Sequence, residues 1–161
     1  NLGLNTTLGF ISASGTIAAA WEGALHGLPA MACSQDLSFE EWRDLTSGRP
    51  IADMPATRAT VETSAAHAAR LAGQLLPATG REKFVVHNLN FPNPCTPASE
   101  VVRTVPAHVV VPNLFSPAAD DGTHRFVFSD AIDRSPPGLI TDKATVAAGK
   151  ISHSVLDYTR L

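Results

Sequence analysis

Ile17, Ala20, Trp21, Ala24, Leu25 and Leu28 fall at i, i+3, i+4, i+7, i+8 and i+11. That is one apolar stripe at helical period. Ser14 or Gly15 can cap the helix at its start, and Gly27 stops it. Pro29 then leads directly into Ala30-Met31-Ala32-Cys33, a short continuous apolar run bounded by Ser34-Gln35. An unbroken apolar run of that length reads as a strand buried on both faces, as in a parallel sheet. The pattern then repeats. A second helix is predicted over Ala56–Leu76, with Val61, Ala65, Ala68, Ala72, Leu75 and Leu76 as its buried face and Pro77 and Gly80 ending it. A strand follows over Lys83–Phe91, stopped by Pro92 and Pro94. Helix, strand, helix, strand in this order predicts an α/β sheet with helices on its faces.

The segment between, residues 36–55, reads as a surface excursion with a helical turn around Phe39–Leu45. After Pro94 the character changes. Val101–Val111 and Arg125–Phe128 are β-like, separated by the turn Asp120-Asp121-Gly122. Ser135-Pro136-Pro137-Gly138 is a second turn, a short helix is predicted around Asp142–Ala147, and Lys150–Leu156 reads as a last strand. The expected organisation is one domain over 1–161, with an α/β core part over 1–94 and a β-rich hairpin extension over 95–161.

With 44% hydrophobic and 17% charged residues, the chain is too apolar for a disordered segment. A net charge of -3 gives no electrostatic reason to expect nucleic acid or an anionic membrane as partner. No apolar run approaches the ~20 residues of a membrane span. Cys33 and Cys95 make neither a metal nor a disulfide framework, and Cys33 reads as a buried core thiol. Asn1 is not a Met, and the first residues are neither a signal peptide nor a polar tail. We therefore expect an N-terminally incomplete chain that would be poorly soluble alone.

Two motifs could carry chemistry. Ser14-Gly15-Thr16 stands at the head of the first helix, where free N–H groups and the helix dipole favour an anion. Taken alone it reads more simply as an ordinary N-cap. Asn1-Leu2-Gly3-Leu4-Asn5 makes a turn whose amide oxygens could face a hard cation. Taken alone it is more simply Asn in left-handed turn positions. Dinucleotide and P-loop fingerprints are absent. Ser12 and Thr16 stand where a nucleophile elbow around Ser14 would need glycines. The six histidines show no HExxH and no close pairing in sequence, and Asp120-Asp121 reads as a solvated turn.

Together the motifs form an ordered signature. Asn1-x-Gly3-x-Asn5, Ser14-Gly15-Thr16, Ala18-Ala19-Ala20-x-Glu22-Gly23 and Gly27-x-Pro29-Ala30-x-Ala32-x-Ser34 resemble the central signature of the SurE family. Asn88-Leu89-Asn90-Phe91-Pro92 is similar to that family's L-N-x-N-x-P strand. Thr141-Asp142 and Gly149-x-Ile151-Ser152-x-Ser154-x-Leu156 are similar to its terminal T-D…G-x-x-S-x-T-P-L block. The resemblance implies a three-layer α/β/α, Rossmann-like core with a C-terminal β-hairpin. It also implies a phosphohydrolase of nucleoside 5′- and 3′-monophosphates dependent on Mg²⁺ or Mn²⁺, commonly a homodimer or homotetramer. It sets Ser14, Gly15, Thr16 and Asn5 against the substrate phosphate and Asn1 on the metal. The family's Asp-Asp pair has no match here, so no catalytic residue is expected within the chain, and this segment alone is expected to be inactive. There are departures: the loop between Asn5 and Ser14 is slightly longer than in many family members, Ser154-Val155 stands where Thr-Pro is usual, and Lys143 follows Thr-Asp where an aromatic is frequent. The last two bear on the dimer contact, and none touches Asn1 or Ser14–Thr16. Two alternatives stay open: a non-catalytic SurE-like protein that binds phosphate ligands, and an α/β serine hydrolase using Ser14. The cytoplasm is the expected compartment, with secretion left open.

Overall fold

The computed structural model describes residues 1–81, 83–112, 114–125 and 131–160. A five-residue helix α1 (Leu8–Ser12) precedes α2 (Gly15–Leu25), and β1 (Ala30–Gln35) follows. The join between α2 and β1 is written in the sequence. Gly27 adopts φ +76, Gly27 N–H donates to the Ala24 carbonyl, and Leu28 N–H donates to the Gly23 carbonyl. That double closure is a Schellman motif, which needs a residue free to turn left-handed after the helix end. Ile17 and Ala24 are buried, with Ala20 and Trp21 packed beside them. Leu25 and Leu28, expected on the same stripe, are exposed. Leu28 lies beyond the left-handed Gly27, where helical spacing no longer applies, and Leu25 is a further step round the cylinder.

Helix α3 (Phe39–Thr46) extends the expected single turn to two, because Ser38 and Glu41 form a complete capping box. Helix α4 (Pro55–Thr79) begins with Pro55 at its first position and runs through Pro77 before Gly80, at φ +71, ends it. Its buried face differs from the expected one. Thr57, Thr60, Ser64, His67 and Leu71 point inward, whereas Ala65 is exposed and Val61, Ala68, Ala72, Leu75 and Leu76 are only half-buried. In so Ala-rich a helix the apolar stripe is weak, and hydrogen bonds decide the rotation. Ser64 Oγ donates to Gln35 Oε1, Thr57 Oγ1 donates to Glu41 Oε1 at 2.6 Å, and His67 Nε2 meets the Thr96 carbonyl at 2.9 Å. Buried polar groups so paired cost little.

The remaining elements are β2 (Val85–Phe91), β3 (Val101–Thr104), β4 (Val109–Val110), β5 (Ile132–Asp133), α5 (Asp142–Ala147) and β6 (Ile151–Asp157). The main sheet has the order β1-β2-β6-β3. Strands β1 and β2 run parallel, with Ala32 opposite Asn88; β6 runs antiparallel to β2, and β3 parallel to β6. Thus β3 and β6, expected in a β-rich extension outside the core, complete the core sheet, and β6 is one of its two inner strands. Among the described residues only the β4–β5 ladder lies apart, as a two-stranded antiparallel pair. The expected strand at Arg125–Phe128 falls mostly outside the described residues.

Alternate residues of a strand face opposite sides. Ala30, Ala32 and Val86 pack with Ile17 and Ala24 of α2. Met31, Cys33, Leu89, Phe91 and Ile151 pack with Leu71 of α4. The sheet is therefore covered by helices on both faces, which gives the expected three-layer α/β/α architecture. Cys33 is half-buried rather than fully buried, and both cysteines are free.

Candidate functional site

Helix α2 packs on β1 and leads into it through a short turn, so the helix starts where the strand ends. The same end of the sheet receives the chain's first residues. Leu2 bridges Gln35 in parallel, Gln35 N–H donates to the Asn1 carbonyl at 2.9 Å, and Gly3 N–H donates to the Gln35 carbonyl at 2.8 Å. Gly3 sits at φ +98, a backbone setting that side chains other than hydrogen resist.

From Gly3 the chain crosses the strand ends, held by a cluster of buried polar side chains. Asn5 N–H donates to Asn90 Oδ1 at 2.8 Å, and the Asn5 carbonyl accepts from Asn88 Nδ2 at 2.8 Å and Asn90 Nδ2 at 3.2 Å. Asn5 Nδ2 donates to Ser34 Oγ. Asn88 and Asn90 are fully buried two residues apart in β2, so they share a face. Asn5 itself is only 6% exposed. Its main chain and Nδ2 are thus held beneath the loop by Asn88, Asn90 and Ser34.

Ser14 caps α2: its Oγ accepts from Ile17 N–H at 3.2 Å, which leaves the hydroxyl proton able to donate. Gly15 is exposed, and an added Cβ there would meet nothing within 4 Å. Thr16 is half-buried. The N–H groups of Gly15 and Thr16 belong to the first helical turn, which has no intrahelical acceptor for them. The start of α2 thus has first-turn N–H groups without helical acceptors and open space over the glycine.

Asn1 is exposed, and its Nδ2 donates to the Gly3 carbonyl at 3.0 Å. Its Oδ1 takes no protein donor among the described residues. That atom suits a hard cation in kind, but one neutral oxygen is not a full ligand set. Among the described residues no three His, Cys, Asp or Glu side chains converge on a point. The structure does not bring Asn1 and Ser14 to one hollow. Asn1 lines a cavity of about 200 Å³ with Ser34, Gln35, Ser64 and Phe91. Ser14 lines one of about 610 Å³ with Leu8, Ile17, Trp21 and Tyr158.

Three features escaped the sequence reading. His87 Nδ1 and His153 Nε2 lie 3.0 Å apart, brought together by the antiparallel pairing of β2 with β6 from 66 residues away. Thr7 adopts φ 68, the only positive φ of a non-glycine among the described residues. Asp142, fully buried, accepts backbone N–H bonds from Thr7, Ala107 and Lys143. Burial pushes the Asp142 carboxyl up from its ordinary range, against the pull of those three donors. The Asp120-Asp121 turn is exposed as expected, with Asp121 Oδ1 accepting from Thr123 N–H and Oγ1.

Comparisons with known proteins agree with the signature. A family model described as Survival protein SurE matches residues 1–110. The proteins named 5'-nucleotidase SurE from Brucella canis and from Brucella melitensis biotype 1 are each 38% identical to this chain over 87 residues, which is 54% of this chain. The matched part is 28% of each relative's length. Among solved structures, the SurE protein from Aquifex aeolicus superposes with a TM-score of 0.52 at 18% identity, covering 96% of this chain and 55% of that one. At that identity the likeness shows a shared fold.

Proposed function

The chain belongs to the SurE family, and on that footing we propose that it forms the phosphate-holding part of a metal-dependent phosphomonoester hydrolase acting on nucleoside 5′- and 3′-monophosphates. The observation that carries this reading is the start of α2. Ser14 keeps a hydroxyl proton while capping, Gly15 leaves its backbone open, and the first-turn N–H groups have no helical acceptor. Such donors hold the charge that builds on the equatorial phosphoryl oxygens as the ester bond breaks. Asn5, assigned to the same phosphate, also fixes the loop that carries the site through its bonds to Ser34, Asn88 and Asn90.

Asn1 Oδ1 is the atom on this chain that would hold Mg²⁺ or Mn²⁺, and carboxylates from elsewhere in the intact protein would complete the set. When bound, the cation polarises a phosphoryl oxygen and activates water. This segment alone then lacks turnover. The relatives' names support a nucleotidase; the choice between 5′ and 3′ esters, the metal and a homodimeric or homotetrameric assembly are part of the proposal. A phosphate-binding protein without turnover is the second reading.

The test is hydrolysis of AMP and of an aryl phosphate by the intact protein, with Mn²⁺ and after chelation by EDTA. Turnover that depends on Mn²⁺ is expected. Turnover that survives complete chelation contradicts the role of Asn1, and no turnover with Mn²⁺ favours the second reading. A phosphonofluoridate that labels Ser14 would point to a serine hydrolase instead.

A further inference from the structure

We propose that Asp142 is a positioning residue for the phosphate site, holding Thr7 in a strained backbone conformation that sets where α1 and the start of α2 lie. The inference rests on the reading of Ser14–Thr16 given above.

The side chain of Asp142 has no solvent exposure. Its Oδ2 accepts Thr7 N–H at 2.9 Å, while Oδ1 accepts Ala107 N–H at 2.9 Å and Lys143 N–H at 2.7 Å. Leu8 N–H donates to the Ala107 carbonyl at 2.9 Å. One carboxylate thus ties the loop at Thr7 to Ala107 and to the head of α5, which packs on β6. Thr7 and Asp142 are 135 residues apart in sequence.

Thr7 is β-branched, and φ 68 is a setting such residues avoid. Its Oγ1 is buried and has no hydrogen-bond partner among the described residues, so the side chain does not compensate the backbone. What holds the conformation is the Thr7 N–H bond to the Asp142 carboxylate together with the Leu8 N–H bond to the Ala107 carbonyl. The consequence passes straight to the site: the Thr7 carbonyl accepts Ile11 N–H at 3.0 Å, and the Ile11 carbonyl accepts Ser14 N–H at 3.2 Å. A change of φ at Thr7 would swing α1 and move Ser14. An error of about 1 Å in a catalytic group can cost a hundredfold in rate.

Asp142→Asn separates the contacts. An asparagine keeps one oxygen, which the two donors on the Oδ1 side claim, and turns its amide N–H₂ toward Thr7 N–H. The Thr7 bond is then lost specifically. Thr7→Gly makes the partner variant, because glycine adopts positive φ without strain.

The experiment compares the intact protein with Asp142→Asn, Thr7→Gly and the double variant. For each, kcat and KM on an aryl phosphate with Mn²⁺, the melting temperature and amide hydrogen exchange at residues 5–8 are measured. The proposal expects Asp142→Asn to lower kcat roughly ten- to a hundredfold while the protein is folded, and to speed exchange at 5–8. Thr7→Gly alone should stay near wild type, and the double variant should regain most of the lost kcat. A lower melting temperature with kcat of the folded protein unchanged overturns it, as does a double variant no better than Asp142→Asn. If the wild type shows no turnover, the phosphatase reading fails; exchange at 5–8 then still decides whether Asp142 holds Thr7. Unchanged exchange in Asp142→Asn would refute that too.

Discussion

Ser14 has one hydroxyl for both its cap and the proposed phosphate contact. Its oxygen caps Ile17 N–H, and its proton is available to an anion. Removing the cap alone costs about 1 kcal/mol. Removing a donor to a charged oxygen costs more, on the order of tenfold or greater in kcat/KM. Ser14→Ala should therefore lower the melting temperature slightly and kcat/KM by about tenfold or more. Ser14→Thr, which keeps the hydroxyl, should retain most of both. If Ser14→Ala loses stability and no activity, the hydroxyl is only a cap. At this scale the sequence was informative where local geometry rules. The cap at Ser14 and the left-handed stop at Gly27 follow from residue type and spacing. Asn5 was not legible in the same way. Its partners Ser34, Asn88 and Asn90 lie 29, 83 and 85 residues away. Nothing local separates an asparagine that touches a ligand from one buried under a loop.

Among elements, the β2–β6 pairing has a pH consequence. Thr79 Oγ1 donates its proton to the Leu75 carbonyl at 2.7 Å, so toward His87 it can only accept, from Nε2–H. Neutral His87 then accepts at Nδ1 from His153 Nε2–H. Burial, then His87 and Arg103, hold the His153 pKa down at about 4, below its ordinary 6.5. Burial, then Arg103, also lowers His87. Between pH 6.5 and about 4 the unfolded chain binds a proton that folded His153 refuses. Stability is thus complete above pH 6.5 and falls as pH is lowered through that window. For a half-buried group the loss is about 1–2 kcal/mol after solvent screening. Thermal melts from pH 7 to 4 should show the decline, and His153→Val should flatten it; an unchanged slope in that variant would remove His153 as the cause. Element identity was largely readable: α2, β1, α4, β2, α5 and β6 stand close to where periodicity and turn residues put them. The rotation of α4 was not, because Ser64, Thr57 and His67 turn inward for hydrogen bonds to Gln35, Glu41 and Thr96.

For the whole molecule, the sheet order was the least legible feature. A strand that ends a Pro-rich stretch looks like an appendage, yet β6 inserts between β2 and β3 and supplies Ile151 to the core. Which strand neighbours which is decided by long-range pairing, and composition does not encode it. Among the described residues no helix is long and apolar enough to cross a membrane. The matched part is 28% of the length of the Brucella relatives, so the activity proposed here belongs to the intact protein. What this chain contributes is a loop from Asn1 to Ser14, tied down at Asn5 and Thr7, that presents an amide oxygen at one end and a helix start at the other. We propose that in the intact protein these two ends serve one bound phosphate, although on this chain they line separate cavities. A crystal structure of the intact protein soaked with Mn²⁺ and inorganic phosphate tests it most directly. The account predicts a phosphate oxygen about 2.7–3.1 Å from the Gly15 or Thr16 N–H, with Asn1 Oδ1 about 2.2 Å from a Mn²⁺ that touches the same phosphate. A phosphate and Mn²⁺ bound together away from either end of that loop would contradict it.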